Sequence, residues 1–83
     1  MKTLVKNGVS LMVLEDDTPL RIGEYVEIGN PVKVKINNKD NSIILYENVT
    51  PPTNYSGKRF CFDGVSWSFN FNWRDSKFTA AKR

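Results

Sequence analysis

The sequence predicts an all-β fold, either a small antiparallel sandwich or a partly open barrel built from hairpins and followed by a polar C-terminal tail. Apolar and polar residues alternate with period two in several short runs, as is typical of half-buried strands. Asn-Gly and Asp-Gly, the dipeptides most typical of tight hairpin turns, separate some of these runs. No stretch has the sustained spacing of an amphipathic helix. In a chain of 83 residues we expect one β domain over residues 1–73 and a basic tail over residues 74–83.

The amino-terminal residues predict a first hairpin. Leu4-Val5 and Val9–Leu14 flank Lys6-Asn7-Gly8, so the chain is expected to reverse at the Asn-Gly pair. Both faces of Val9–Leu14 are apolar, which predicts a central strand that is covered on two sides. The acidic residues Glu15-Asp16-Asp17 lack the alternating oxygen ligands of a calcium loop, and we interpret them as a solvated turn.

The middle of the chain predicts further strands. Leu20–Ile22 is a short alternating piece, and Tyr25–Ile28 is either a strand or an irregular segment. Val32–Ile36 has the clearest strand pattern, with three β-branched residues facing inward and two lysines facing outward. Such lysines suit an edge strand, because charge discourages unwanted pairing. Ile43–Glu47 is predicted to return as its antiparallel partner after a polar turn.

Most of the large aromatic residues fall in one stretch, Phe60–Trp73, around Asp63-Gly64. We interpret them as core, because each buried aromatic side chain removes ~150–250 Å² from water. The alternative is a platform on which bases or sugar rings stack. Such platforms usually interleave aromatic residues with Arg or Lys, whereas Ser and Asn are interleaved here. The predicted core residues are Phe60, Phe62, Trp67, Phe69 and Phe71.

Two registers are compatible with this aromatic hairpin. If the loop is Asp63-Gly64 alone, Phe62 pairs with Val65. If the loop is the four residues Asp63–Ser66, Phe62 pairs with Trp67. Both registers keep the aromatic side chains on one face of the sheet, whereas a three-residue loop would divide them between two faces. The sequence does not choose between the two.

Composition argues against catalysis. The chain has no histidine and one cysteine, Cys61. These counts leave no Ser-His or Cys-His pair and few ligands for zinc or haem. We therefore expect no enzyme, no catalytic residue, no metal site and no cofactor. No apolar run approaches the ~20 residues that span a bilayer, and the amino terminus lacks the apolar core of a signal peptide. We expect a cytoplasmic protein that does not contact membranes.

Candidate partner-binding residues lie in one loop and in the tail. The loop Asn48–Gly57 is long and contains Pro51-Pro52, and Tyr55 is its residue with a stacking face and a hydroxyl. In the alternative interpretation, this loop is a strap whose Tyr packs over the core. The tail holds four basic residues, although the net charge of the chain is only +3, and it could also be a solvated terminus. The candidate residues are Tyr55, Arg74, Lys77, Phe78, Lys82 and Arg83.

The most specific motif is a proline pair followed by a hairpin of the form aromatic-Asp-Gly-x-Ser/Thr-Trp. The pattern comprises Asn48-Val49-Thr50-Pro51-Pro52, Gly57, Phe60, Phe62-Asp63-Gly64, Trp67, Asn70 and Trp73, together with Lys2-Thr3-Leu4-Val5 and Val9-Ser10-Leu11. In these stretches the chain resembles a group of small uncharacterised proteins encoded by tailed bacteriophages, especially marine and cyanobacterial ones. The tail from Arg74 departs from their pattern. The resemblance implies a phage origin and names no activity.

Three hypotheses for function follow. The first is a non-enzymatic virion component, such as a capsid decoration, neck, tail or fibre protein, that docks on a larger phage structural protein present in symmetric copies. It would occur in the host cytoplasm and then in the virion. The second is a phage-encoded inhibitor of a host factor or a nucleic-acid-binding module, although scattered lysines predict no specific nucleic-acid binding. The third is a carbohydrate-binding module that uses Tyr55 and an exposed Trp73. The residues of the second hypothesis, besides the tail, are Lys33, Lys35, Lys58 and Arg59.

Overall fold

A computed structural model describes residues 1–72. This part of the chain contains eight strands and no helix, which confirms the predicted all-β class. The strands are β1 (Lys2–Lys6), β2 (Val9–Leu14), β3 (Leu20–Ile22), β4 (Tyr25–Ile28), β5 (Val34–Asn37), β6 (Ile43–Tyr46), β7 (Phe60–Phe62) and β8 (Trp67–Phe69). They form two antiparallel sheets that are not closed into a barrel. The large sheet has the order β6-β1-β2-β7-β8 and the small sheet the order β3-β4-β5. Trp73 and the predicted tail residues Arg74, Lys77, Phe78, Lys82 and Arg83 lie outside the described residues.

The first hairpin forms as predicted. Lys6 pairs with Val9, and the intervening Asn7 and Gly8 both have positive φ angles, of 52° and 82°. Two consecutive residues with positive φ match the twist of the flanking strands, which is why Asn-Gly favours this turn. β2 lies at the centre of the large sheet, between β1 and β7. The sequence therefore identified the turn and the central strand correctly.

The two sheets share one hydrophobic core. Leu4 of β1 and Val26 of β4 have no exposed surface, and Ile28 and Ile43 are also buried. Burial of one such aliphatic side chain stabilises a fold by ~1.5–3 kcal/mol. The partly buried residues packed against this cluster also come from both sheets and are Leu11, Met12, Leu14, Leu20, Ile36 and Leu45.

The predicted hairpin between Val32–Ile36 and Ile43–Glu47 does not form. β5 pairs with β4 instead, and β6 crosses to the large sheet and pairs with β1. The predicted inward direction also fails at Val32 and Val34, which are 49% and 43% exposed. The strand begins only at Val34 and lies at the edge of the small sheet, as its lysines indicated, so few neighbours cover its side chains.

A buried asparagine lies at the point where the chain passes from the small sheet to β6. Asn38 is 2% exposed. Its Nδ2 donates to the carbonyl of Gly23 at 3.0 Å, and its Oδ1 accepts the N–H of Ile43 at 3.1 Å. Its own N–H donates to the carbonyl of Glu24 at 2.8 Å. One residue thus joins the β3–β4 turn to the start of β6. The local sequence, a polar run that resembles any solvated turn, gave no sign of this role.

The opposite face of the large sheet carries a second, aromatic core. Phe60 and Phe62 are buried, as predicted, and Val5 and Val49 are buried beside Phe62. Trp67 is half-buried, with its ring centroid 4.5 Å from that of Phe62. The hairpin therefore stabilises the fold mainly through the aromatic residues near its turn.

Asp63 selects the register of the aromatic hairpin. Its Oδ1 accepts the N–H groups of Val65 and Ser66, both at 2.8 Å, so the loop contains four residues. Phe62 consequently pairs with Trp67, as in one of the two predicted registers. The same bonds, with that of Ser66 the larger contributor, lower the pKa of the Asp63 carboxyl below its ordinary value.

The prediction that Phe69 and Phe71 belong to the core is wrong. Phe69 is 41% exposed and Phe71 is 83% exposed. β8 ends at Phe69, and the N–H of Asn72 bonds to Oδ1 of Asn70 at 3.0 Å in the turn that follows. The strand alternation therefore stops before Phe71, and no sheet continues to orient its side chain inward.

A strap, residues 48–57, packs against the aromatic core. The hydroxyl of Tyr55 lies 2.9 Å from Oγ of Ser10, which lies 2.7 Å from Oγ1 of Thr3. Thr3 donates its own proton to the carbonyl of Met12 at 2.7 Å. Ser10 must then donate to Thr3, and Tyr55 must donate to Ser10. These contacts fit the strap interpretation of Tyr55, because a continuous chain of donors satisfies each buried hydroxyl.

Tyr55→Phe should remove the first donor of this chain and lower the free energy of unfolding by about 1 kcal/mol at neutral pH. Burial raises the pKa of Tyr55 above its ordinary value of 10.0, and the hydrogen bond to Ser10 opposes the shift. The neutral hydroxyl therefore stabilises the fold fully below pH 10, and this contribution is lost as pH rises through the folded pKa. Urea unfolding at several pH values should show a smaller loss above pH 10 in the variant than in the wild type. Parallel curves would mean that Tyr55 does not ionise differently in the two states. Tyr25→Phe, on the small sheet, is the control.

Candidate binding surface on the aromatic hairpin

Within residues 60–72 of the aromatic hairpin, three apolar side chains are exposed to solvent. Val65 at the loop is 89% exposed, Phe71 is 83% exposed and Phe69 is 41% exposed. Phe69 lies on β8, which is an edge strand of the large sheet within residues 1–72, and Val65 and Phe71 lie just before and just after this strand. We name these three residues the aromatic edge. Exposed apolar groups on an edge strand commonly mark a surface that another protein covers.

The exposed ring of Phe69 rests on the buried ring of Phe60, and the ring of Phe71 rests on that of Phe69. A series of aromatic contacts runs from the interior of the domain to Phe71, with centroid separations between 4.5 and 6.3 Å. In order, the rings are Tyr46, Phe62, Trp67, Tyr55, Phe60, Phe69 and Phe71. Side chains fixed in this way lose little conformational entropy when a partner binds, so the edge is suited to act as an anchor.

The segment that carries Phe71 also contributes to a groove of about 610 Å³. Asn70 and Asn72, which flank Phe71 in sequence, form part of its wall, so the groove and the aromatic edge share one segment. Val9 and Leu11 of β2 supply its apolar portion. We name it the lysine groove; its described lining is Lys6, Asn7, Val9, Leu11, Gly57, Lys58, Asn70 and Asn72.

Backbone contacts hold Lys58 in place at the groove. Its N–H donates to the carbonyl of Ser10 at 2.9 Å, and its carbonyl accepts Nδ2 of Asn70 at 2.8 Å. Its φ angle is +67°. This left-handed conformation is unfavourable for a residue with a Cβ, and such strain is concentrated at functional sites. Gly57, immediately before it, lies so close to β2 that an added Cβ would be 2.8 Å from the carbonyl oxygen of Leu11.

The groove is positively charged. Its described lining contains two lysines and no carboxylate. Asp40 lies 3.9 Å from Nζ of Lys6, but its carboxylate also accepts the hydroxyl of Ser42 at 2.8 Å, the largest cause of its lowered pKa. An exposed ion pair of this length contributes little binding free energy, so Asp40 does little to neutralise Lys6. By contrast, the groove along the small sheet balances its two basic residues, Arg21 and Lys35, with Glu24 and Glu27.

The structure separates the residues that the sequence brought together as candidates. Tyr55 is engaged inside the domain by its ring and its hydroxyl. Lys35 lies on the small sheet, 3.9 Å from Glu27 and over the ring of Tyr25. Only Lys58 among the described candidates lines the lysine groove. The sequence analysis did not identify Lys6 as a candidate binding residue. Its position directly before the Asn-Gly turn was the signal that could have indicated it.

Comparisons with known proteins add no assignment: no family model, curated protein or solved structure matches the chain. Within residues 1–72 no helix has the length and apolar character needed to cross a membrane. The same residues contain no group of three or more side chains that could hold a metal ion.

Proposed function

We propose that this chain is a non-enzymatic accessory protein that docks on a larger protein assembly through its aromatic edge, and that the assembly is a bacteriophage virion. The observation that carries the docking proposal is the 83% exposure of Phe71 and the 89% exposure of Val65 on a hairpin whose inner rings are buried. Exposing large apolar groups has a cost in water that a partner can remove. The phage assignment rests on the sequence resemblance.

The geometry favours one mode of docking. Aromatic residues dominate the binding energy of protein interfaces when they enter a pocket of the partner and a polar rim excludes water around them. Phe71 can supply such an anchor, and the asparagines and lysines of the adjoining groove can supply part of the rim. A symmetric shell or tail would present the same pocket many times, so each copy of a small protein could bind independently.

The test is to measure whether the protein is part of the particle. Quantitative mass spectrometry of purified virions of the encoding phage should find the chain in a fixed ratio to a structural protein. Absence from particles, together with recovery of the chain on a host protein in the cytoplasm, would replace virion docking with host-factor inhibition.

Phe71→Ser should reduce incorporation into particles by about 30-fold or more, because loss of an aromatic anchor typically costs at least 2 kcal/mol of binding. The melting temperature should change little. Ile44→Ser is the matched control, since Ile44 is 51% exposed on β6 at the other edge of the large sheet. Equal incorporation of both variants would show that docking does not use the aromatic edge.

A further inference from the structure

We infer that the lysine groove binds an acidic, extended segment of the protein partner, so that two of its carboxylates meet Lys6 and Lys58. This inference rests on the proposed docking function and names the chemistry of the partner. It starts from charge complementarity: the described lining carries two ammonium groups and no carboxylate. A carboxylate bound to an ammonium makes a short, charge-assisted hydrogen bond.

The remaining lining suits a peptide. Asn7 and Asn72 each offer a side-chain amide that can donate and accept, as the N–H and C=O groups of an extended backbone require. The amide of Asn70 already donates to the carbonyl of Lys58 and accepts the N–H of Asn72, so it holds the wall of the groove in place. Val9 and Leu11 provide an apolar surface for the methylene groups of a Glu side chain. Nucleic-acid and sugar sites usually contain a stacking ring, and the described lining of this groove has none. Asn70 and Asn72 of the lining flank Phe71 in sequence, so one partner surface could cover both features.

The conformation of Lys58 is an independent argument. Its φ angle is +67°, in a region of backbone conformation that glycine adopts at the least cost. Lys58→Gly should therefore raise the melting temperature while it weakens binding of the acidic segment. If Lys58 had no role in binding, Lys58→Gly would raise the melting temperature and leave the affinity for the acidic segment unchanged.

The direct test is a titration of the purified protein with a nine-residue peptide of alternating Glu and Ser, followed by two-dimensional NMR. We expect the NMR signals of the side-chain amides of Asn7, Asn70 and Asn72 to shift.

Lys6→Ser and Lys58→Ser should each weaken binding of the peptide about tenfold, the value of one charge-assisted bond. Lys33→Ser, which removes an exposed lysine outside the groove lining, should change affinity less than twofold. Asp40→Asn, which removes the exposed carboxylate 3.9 Å from Nζ of Lys6, should strengthen binding by less than about twofold.

Several outcomes would overturn the inference. Equal effects of Lys33→Ser and Lys58→Ser would show diffuse attraction to the whole protein. Tighter binding of a DNA oligonucleotide or of a sulfated glycan at the same amides would assign the groove to another class of ligand.

Measuring incorporation into particles separates this inference from the docking function. If Lys6→Ser and Lys58→Ser incorporate normally while Phe71→Ser does not, docking stands and the acidic segment is wrong. If the wild type is absent from particles, the docking function itself is wrong.

Discussion

Phe62→Ala should lower the free energy of unfolding by about 3–5 kcal/mol and leave much of the protein unfolded at physiological temperature. Phe62 is 4% exposed and lies between Tyr46 and Trp67, with centroid separations of 5.2 and 4.5 Å. Its removal would leave a cavity beside the buried side chains of Val5 and Val49. Urea unfolding monitored by tryptophan fluorescence measures the loss.

Phe71→Ala is the control on the same hairpin. Phe71 is 83% exposed, so its truncation should change the free energy of unfolding by less than about 1 kcal/mol. The period-two pattern assigns Phe62 and Phe71 to the same buried face, whereas the structure separates them. Similar losses for the two variants would therefore restore the sequence interpretation and show that the ring of Phe71 is buried in solution.

Gly57→Ala should destabilise the domain by about 1–3 kcal/mol, the usual cost of forcing atoms into a packed site. The added Cβ would lie 2.8 Å from the carbonyl oxygen of Leu11, a backbone atom of the central strand that cannot rotate away. Either the strap or β2 would have to move. Because Gly57 and Leu11 both line the lysine groove, the amide signals of Asn7 and Asn70 should also shift.

Gly23→Ala provides the comparison for this change. Its added Cβ would meet nothing closer than the carbonyl oxygen of Tyr25 at 4.0 Å, and neither Gly23 nor Gly57 has a positive φ. We expect its melting temperature to remain within a few degrees of the wild type. Thermal melts of both variants measure whether the close contact of Gly57 with β2 limits stability. Equal melting temperatures would mean that the strap moves away from β2 at little cost in free energy.

The residues of the acidic turn illustrate what local sequence can predict. Glu15, Asp16 and Asp17 are exposed in a turn, as their composition indicated. The Asn7-Gly8 turn formed for the same reason, because the preference lies in the residues themselves. Predictions failed where partners distant in sequence decide the outcome. The pairing of β6 with β1 rather than β5 depends on the bonds of Asn38 to the β3–β4 turn and to Ile43.

The candidate surface was predictable only in part. The aromatic hairpin and its two possible registers followed from parity, since an even loop keeps the rings on one face. The register itself depended on whether the Asp63 carboxylate captured the N–H groups of Val65 and Ser66. The groove could not be predicted, because Lys6, Lys58 and Asn70 come from three separate segments that only the folded chain brings to one wall.

The sequence by itself determined the all-β class, the two turn dipeptides and the aromatic side chains near the second turn, because period-two alternation and the φ preferences of Asn and Gly act over a few residues. The tertiary structure alone decided which strands pair across the two sheets, where the aromatic face ends and which lysines share a groove. Those outcomes depend on the burial of Asn38, on the strap held against β2 and on the end of β8 at Phe69. Each is a contact between segments far apart in the chain, and no local pattern specifies such a contact.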